Sequence, residues 1–202
     1  SPDGRTIWLS ANAGRDLAAF ARIRLAANGR PGPVEIVAER ADAELSGFEV
    51  DKAGLVAALV WNVAGRSELA FVDLATGRSR PGPALPSEIA SGLAFSPDGT
   101  KLAVVLSGST APMDVWILDR ARNTLRPLTR SPHAGIDLSS LVKPTLVKFP
   151  ARDGLPLSGW LYRPTGASGP GPIVLSFHGG PEAQERPTFR SDYQALVSQG
   201  IS

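Results

Sequence analysis

One turn-and-strand pattern recurs three times at nearly constant spacing, and nothing else in the chain restricts its fold as strongly. Phe95-Ser96-Pro97-Asp98-Gly99 leads into the apolar run Leu102-Ala103-Val104-Val105-Leu106. Forty-seven residues before Asp98, Phe48-Glu49-Val50-Asp51 leads into Leu55-Val56-Ala57-Ala58-Leu59, and forty-eight before that Asp3 leads into Thr6-Ile7-Trp8-Leu9. A single unit of this length cannot bury its own apolar face and must stack on its neighbours; the length suits a four-stranded propeller blade.

Each copy resolves into strands. In the third, Gly92-Leu93-Ala94-Phe95 is the inner strand, Lys101 to Ser107 the second, Asp114-Val115-Trp116-Ile117-Leu118-Asp119 the third and Thr124 to Thr129 the outer edge. The second copy supplies Glu68 to Asp73 and the turn Ala75-Thr76-Gly77; the first supplies Phe20 to Leu25 and the turn Ala27-Asn28-Gly29-Arg30. Asn-Gly and Asp-Gly provide the positive φ that tight hairpins require. Asp3, Asp51 and Asp98 could be ligand-binding acids, but a turn Asp bonding nearby amides is the favoured role. Trp8, Trp61 and Trp116 fall at non-equivalent repeat positions, which fits blade packing rather than a ring of binding aromatics. Three blades do not close a ring, since propellers use roughly four to eight. The opening Ser1-Pro2-Asp3-Gly4 repeats the turn at Ser96-Pro97-Asp98-Gly99 with no strand before it, and the chain stops at Gly200-Ile201-Ser202, where a new strand is due. Both ends are therefore expected to be cuts in a longer protein.

Composition removes several functions. With 21 Lys+Arg against 19 Asp+Glu and a net charge of +2, there is no basic face for a polyanion such as nucleic acid. The absence of Cys excludes disulfides, Fe–S clusters and Cys-based zinc sites, and two His (His133 and His178) make a His-dominated metal site a poor fit. No metal or cofactor is expected. The longest apolar run, Leu55 to Trp61, is far short of a membrane span. A cytoplasmic protein without a membrane partner is the expectation, with homo-oligomerisation left open.

Beyond the repeats the sequence changes character. Residues 131–145 form a Pro- and Ser-bearing connector, separating a propeller portion (1–130) from a C-terminal portion (146–202). Thr145 to Phe149 and Leu155 to Tyr162 flank the turn Arg152-Asp153-Gly154, a hairpin signal. After a Gly-rich loop, Pro172-Ile173-Val174-Leu175-Ser176-Phe177 is nearly continuously apolar, as in a strand covered on both faces. It ends in His178-Gly179-Gly180-Pro181. Phe189 to Gln199 carries Tyr193, Leu196 and Val197 on one helical face, and Gly200 stops the helix. Two adjacent Gly after a buried strand let backbone N–H groups reach the sheet edge unobstructed. Acyl transfer needs such donors for the oxyanion, and an HGG-type motif after the third strand supplies one in α/β-hydrolases. A Gly-Gly-Pro turn with a helix-capping role is the competing reading; the hairpin and repeats tip the balance towards the oxyanion.

The order of these parts resembles the prolyl oligopeptidase family of serine peptidases, most closely its acylaminoacyl-peptidase-like branch. The resemblance rests on the Ser-Pro-Asp-Gly blades, the connector Ile136-Asp137-Leu138-Ser139-Ser140-Leu141, the hairpin ending in Gly159-Trp160-Leu161-Tyr162-Arg163-Pro164, and His178-Gly179-Gly180-Pro181. It implies a mainly β chain: a partial β-propeller of about three four-stranded blades, then the first strands and helix of an α/β-hydrolase domain. It also implies a short-peptide substrate, a propeller that filters it, and a remainder of the same polypeptide as structural partner. By resemblance, the Gly180 backbone N–H is an oxyanion donor, with His178, Gly179 and Pro181 supporting the loop; His178 is not the triad histidine.

The triad nucleophile, due in a Gly-x-Ser-x-Gly elbow, is missing. The nearest string, Gly166-Ala167-Ser168-Gly169-Pro170, has Pro at the last Gly and precedes a strand instead of following one, so Ser168 is a loop residue. The triad is expected beyond Ser202, leaving these residues inactive alone. The rival readings are a non-catalytic propeller used for interactions and an esterase of the same fold.

Overall fold

The computed structural model describes residues 1–180 and 182–202. Its repeating element begins with the Asp turns. At the third copy, the Gly99 N–H bonds to Ser96 O (2.8 Å) with Gly99 at φ +66°, while Asp98 Oδ1 accepts from the Thr100 amide (3.1 Å) and the Ser96 hydroxyl (2.6 Å). Asp51 does the same for the Leu55 and Val56 amides (2.7 and 3.1 Å), and Asp3 for the Arg5 amide (3.0 Å). All three acids are turn residues. The Asp98 carboxyl is held down to about 2 by the Ser96 hydroxyl and then by Thr100.

Each turn launches a meander. Strands β1 (Thr6–Ala11), β2 (Ala19–Leu25) and β3 (Pro31–Ala38) form a three-stranded sheet. Strands β4 (Glu44–Val50), β5 (Val56–Val63), β6 (Arg66–Asp73) and β7 (Ser79–Pro81) form a four-stranded one. Strands β8 (Ile89–Phe95), β9 (Lys101–Gly108), β10 (Ala111–Asp119) and β11 (Thr124–Pro127) form another, each strand beside its sequence neighbour. The first sheet lacks a counterpart of the strand preceding the turn in the other two. Pairing is antiparallel, from Thr6↔Arg24 in the first sheet to Val56↔Asp73 in the second.

Strand β5 explains the apolar run. Its period-2 alternation sends Ala57, Leu59 and Trp61 into one core with Phe20, Leu45 and Val72, and Ala58 and Val60 into a second with Phe71, Leu102, Val104 and Leu118. A strand covered on both faces has no polar side, hence no alternation in its sequence. Each fully buried Leu or Phe contributes about 1.5–3 kcal/mol of transfer free energy. The tryptophans pack as expected: Trp8 stacks on Phe20 at 5.2 Å between centroids, and Trp61 is buried.

Contacts divide the chain into two units. The first holds Ser1–Pro86, Ala90–Leu106 and Asp114–Arg130; the second holds Ser87–Ile89, Ser107–Met113 and Ser131–Ser202. In the second, β12 (Thr145–Pro150) and β13 (Pro156–Leu161) pair from Thr145↔Leu161 to Pro150↔Pro156 around Gly154 (φ +88°). Helix α1 (Ser191–Ser198) is shorter than the Phe189–Gln199 expected, and the Gly200 N–H closes it on Val197 O (3.0 Å).

One expectation fails in this unit. Residues 172–177 are extended but form no regular strand, and Leu175 and Phe177 are 69% and 84% exposed. Their backbone partner among the described residues is Ser202, whose carbonyl accepts from Val174 N–H (2.8 Å) and whose N–H donates to Pro172 O (3.0 Å). Bonds from one residue to positions 172 and 174 are the parallel pattern. A doubly covered strand needs a ladder on each edge and a layer on each face; this segment has one parallel contact.

Candidate functional site

The apolar segment 172–177 delivers the chain to His178, Gly179 and Gly180, all exposed. Gly180 stands at φ +142°, and a Cβ there would lie 2.9 Å from the Glu182 backbone nitrogen. Only glycine fits both the angle and the space. Among the described residues the Gly180 N–H has no hydrogen-bond partner. His178 Nδ1 lies 3.0 Å from Gly179 O, the geometry of the Nδ1-protonated tautomer, and its bond reaches no farther than that neighbour. Pro181, named from the sequence as part of the motif, lies outside the described residues.

The contacts bracketing this loop come from residues that sequence reasoning did not assign to it. The Tyr193 hydroxyl on α1 bridges Ser176 Oγ (2.8 Å), before the glycines, and Glu185 Oε1 (3.2 Å), after them. Trp160 Nε1 on β13 donates to Glu185 O at 3.1 Å. Arg190 lies over the Tyr193 ring at 4.3 Å while its guanidinium pairs bidentately with Asp192 (3.0 and 2.7 Å). Tyr162 meets Tyr193 edge-on at 5.5 Å; burial, and then the Glu88 charge, push its hydroxyl up to about 12. Tyr162 therefore stays protonated at neutral pH and is no general base.

A second buried polar cluster fixes the helix. Gln194 Oε1 accepts from the Val142 N–H (2.9 Å), and its Nε2 donates to Val142 O (2.9 Å) and Ser109 O (2.9 Å). One amide thus satisfies three backbone groups. The Ser109 hydroxyl donates to Glu88 Oε1 (3.1 Å), and Lys143 Nζ stands 3.7 Å from the same oxygen. A Cβ on Gly108, the last residue of β9, would fall 1.9 Å from Glu88 Oε2, so a side chain there must displace this buried carboxylate. The sequence signal for Gln194 is a polar residue three positions before Val197 on the buried side of α1.

Ser139, Asp137 and His133 also cluster, but not as a triad. Ser139 Oγ bonds to Asp137 Oδ1 (2.8 Å), and Ser139 N–H to the same carboxylate (2.9 Å), which caps the short 3-10 turn Leu138–Ser140. His133 Nδ1 faces Ile136 O (2.7 Å). A serine nucleophile must bond to the base imidazole, with the acid behind it; here the serine bonds to the acid. Ser168 is exposed in its loop. No group of three or more His, Asp and Glu among the described residues is placed to hold a metal, and no helix among them is long and apolar enough to cross a membrane.

Similarity to known proteins agrees with this layout. No protein-family model matches the chain. An uncharacterized peptidase of Bacillus subtilis, YuxL, is 23% identical over 120 residues, covering 58% of this chain and 18% of that protein. Prolyl oligopeptidase B of Galerina marginata superposes with a TM-score of 0.81 at 17% identity over 96% of this chain and 27% of its own. A puromycin-hydrolyzing peptidase of Mycobacterium tuberculosis gives 0.78 at 17% identity over 98% and 31%. The chain thus shares the fold of these prolyl oligopeptidase structures over nearly its whole length, mostly β with several propeller-type antiparallel sheets. It spans under a third of these structures and under a fifth of the curated relative.

Proposed function

We propose that this chain is part of a serine peptidase of the prolyl oligopeptidase family, acting on short peptides as an acylaminoacyl- or dipeptidyl-peptidase. Gly180 carries the reading: a backbone N–H without a partner among the described residues, at a φ that only glycine holds, at the end of an apolar extended segment. In peptide hydrolysis the scissile carbonyl oxygen becomes an oxyanion when the serine attacks. An amide fixed before the reaction stabilises that charge without reorganising solvent. Tyr193 and Trp160 hold the chain on both sides of the glycines, so the N–H keeps its direction as charge develops. The acyl-enzyme then forms on a serine that these 202 residues do not supply, because they contain no Gly-x-Ser-x-Gly elbow. The chain contributes the oxyanion donor and the propeller portion; the triad comes from the remainder of the polypeptide.

The test uses a fluorophosphonate probe, which labels activated serines. The full-length protein is expected to label stoichiometrically at one serine outside the 202 residues, and the 202-residue chain alone to remain unlabelled. Labelling of a serine within Ser1–Ser202 contradicts the reading, as does a full-length protein that takes no label.

A further inference from the structure

We propose that the first unit carries a binding site for a phosphate-class oxyanion, unrelated to the peptidase machinery. A cavity of about 740 Å³ opens beside the β8–β9 and β10–β11 turns, lined by Arg80, Lys101, Arg120 and Arg122 together with Asp98 and Asp119. This lies within the size range of small-molecule sites.

The charges on its walls are unevenly satisfied. Asp119 pairs with Arg122 (2.7 Å) and accepts from the Arg122 amide (2.9 Å); Asp98 is engaged by Ser96 and Thr100. Arg80, Lys101 and Arg120 have no carboxylate within 4 Å among the described residues. Asp51, beside Gly99, has Oδ1 committed to the Leu55 and Val56 amides and forms no ion pair with Arg120.

Two of the three cations are pinned. The Arg80 guanidinium sits 4.6 Å and that of Arg120 5.7 Å from the centroid of the same buried ring, Phe71, and Arg120 also lies 5.4 Å from the Phe95 centroid. Their charges are therefore within about one Debye length of each other, where salt screens them incompletely. Arg120 Nη1 donates to Gly99 O, and its Nε is buried without a partner among the described residues. Arg80 and Arg120 thus share one buried ring, and neither has a carboxylate within 4 Å among the described residues, with Asp51 Oδ2 the acid nearest the Gly99 backbone that Arg120 also approaches. An oxyanion with several acceptors answers the Arg80 fork, the Lys101 ammonium and the part of the Arg120 guanidinium that Gly99 O leaves uncommitted, with both guanidinium groups already ordered.

Inorganic pyrophosphate titrated into the full-length protein by calorimetry at low salt is expected to bind with a Kd between about 10 μM and 1 mM. Arg80→Gln and Lys101→Gln, both at exposed positions, are each expected to weaken binding at least about tenfold with an unchanged unliganded Tm. Arg152→Gln, in the β12–β13 turn and outside the cavity lining, is expected to leave it unchanged. Citrate, of similar charge without phosphoryl geometry, is expected to bind at least about tenfold more weakly. Absence of pyrophosphate binding overturns the proposal, as does equal affinity in the Arg80 and Lys101 variants; equal affinity for citrate overturns the phosphate class.

Discussion

Strand β5 and residues 172–177 are both largely apolar and have opposite fates. In β5, Leu59 and Val60 are 0% and 2% exposed; at the C-terminal segment, Leu175 and Phe177 are 69% and 84% exposed. The difference lies in where each finds its partners. Strand β5 is flanked by β4 and β6, its own neighbours in sequence, joined by tight turns that the Asp and Gly residues encode. Residues 172–177 make a parallel contact, and parallel partners arrive only through crossovers of a dozen or more residues. Helix α1 is such a crossover, and it returns the chain to Ser202 beside Val174. Local pairing completes a blade within its own repeat, whereas a parallel sheet depends on partners far along the chain.

Substitution of one phenylalanine in each region breaks or sharpens this contrast most strongly. Phe20→Ala removes a fully buried ring between Trp8 and Phe48 and is expected to cost about 3–5 kcal/mol in urea unfolding, while Phe177→Ala costs less than about 0.5 kcal/mol. Equal costs would show that the segment is buried in solution. Next is Gln194→Ala, which strands the Val142 N–H and two carbonyls in a buried setting and is expected to cost about 2–3 kcal/mol. A loss under about 0.5 kcal/mol would mean that water replaces the amide. Tyr193→Phe keeps the ring under Arg190 but removes the bridge between Ser176 and Glu185; about 1 kcal/mol is expected, with faster amide exchange at residues 176–185 as its signature. Unchanged exchange there would remove Tyr193 from the loop's support.

The smallest effect belongs to the Asp98 turn. Its carboxyl is held down to about 2, below the ordinary value near 4. A depressed folded-state pKa adds stability that is complete above the unfolded value and disappears as pH falls through the folded one. Acid titration of Asp98→Asn against the parent is therefore expected to show a stability difference that shrinks between about pH 4 and pH 2. A difference independent of pH in that window would mean that the turn does not depend on the ionised carboxylate.

Much of the first unit was legible because its determinants are local. Asp98, Gly99 and the Leu102–Leu106 run act within ten residues, and period-2 burial assigns the faces. The hairpin around Gly154 was legible for the same reason. The unpaired state of 172–177 was not, since continuous apolarity marks a strand that could be covered and says nothing of what covers it. The partners of Gln194 were not legible, because its bonds span 52 and 85 residues. The need for a small residue at Gly108 was not legible either, because Glu88, twenty residues away in sequence, occupies the place of its Cβ. The Gly-Gly of the candidate loop was recognisable as backbone freedom, and the +142° angle at Gly180 supplies its geometric reason.

The central proposal is that the Gly180 backbone N–H is an oxyanion donor. Gly180→Pro would remove the donor but also force φ from +142° to about −65°, moving the loop itself. Replacing glycine 180 by glycolic acid in the full-length protein exchanges the amide for an ester, which deletes the N–H and leaves the backbone free to keep its angle. The account predicts a fall in kcat of roughly 10²–10³-fold, about 2.7–4 kcal/mol, with KM, Tm and active-site titration close to unchanged. A well-folded ester variant whose kcat stays within about twofold of the parent would contradict it and return His178-Gly179-Gly180 to the role of a structural turn.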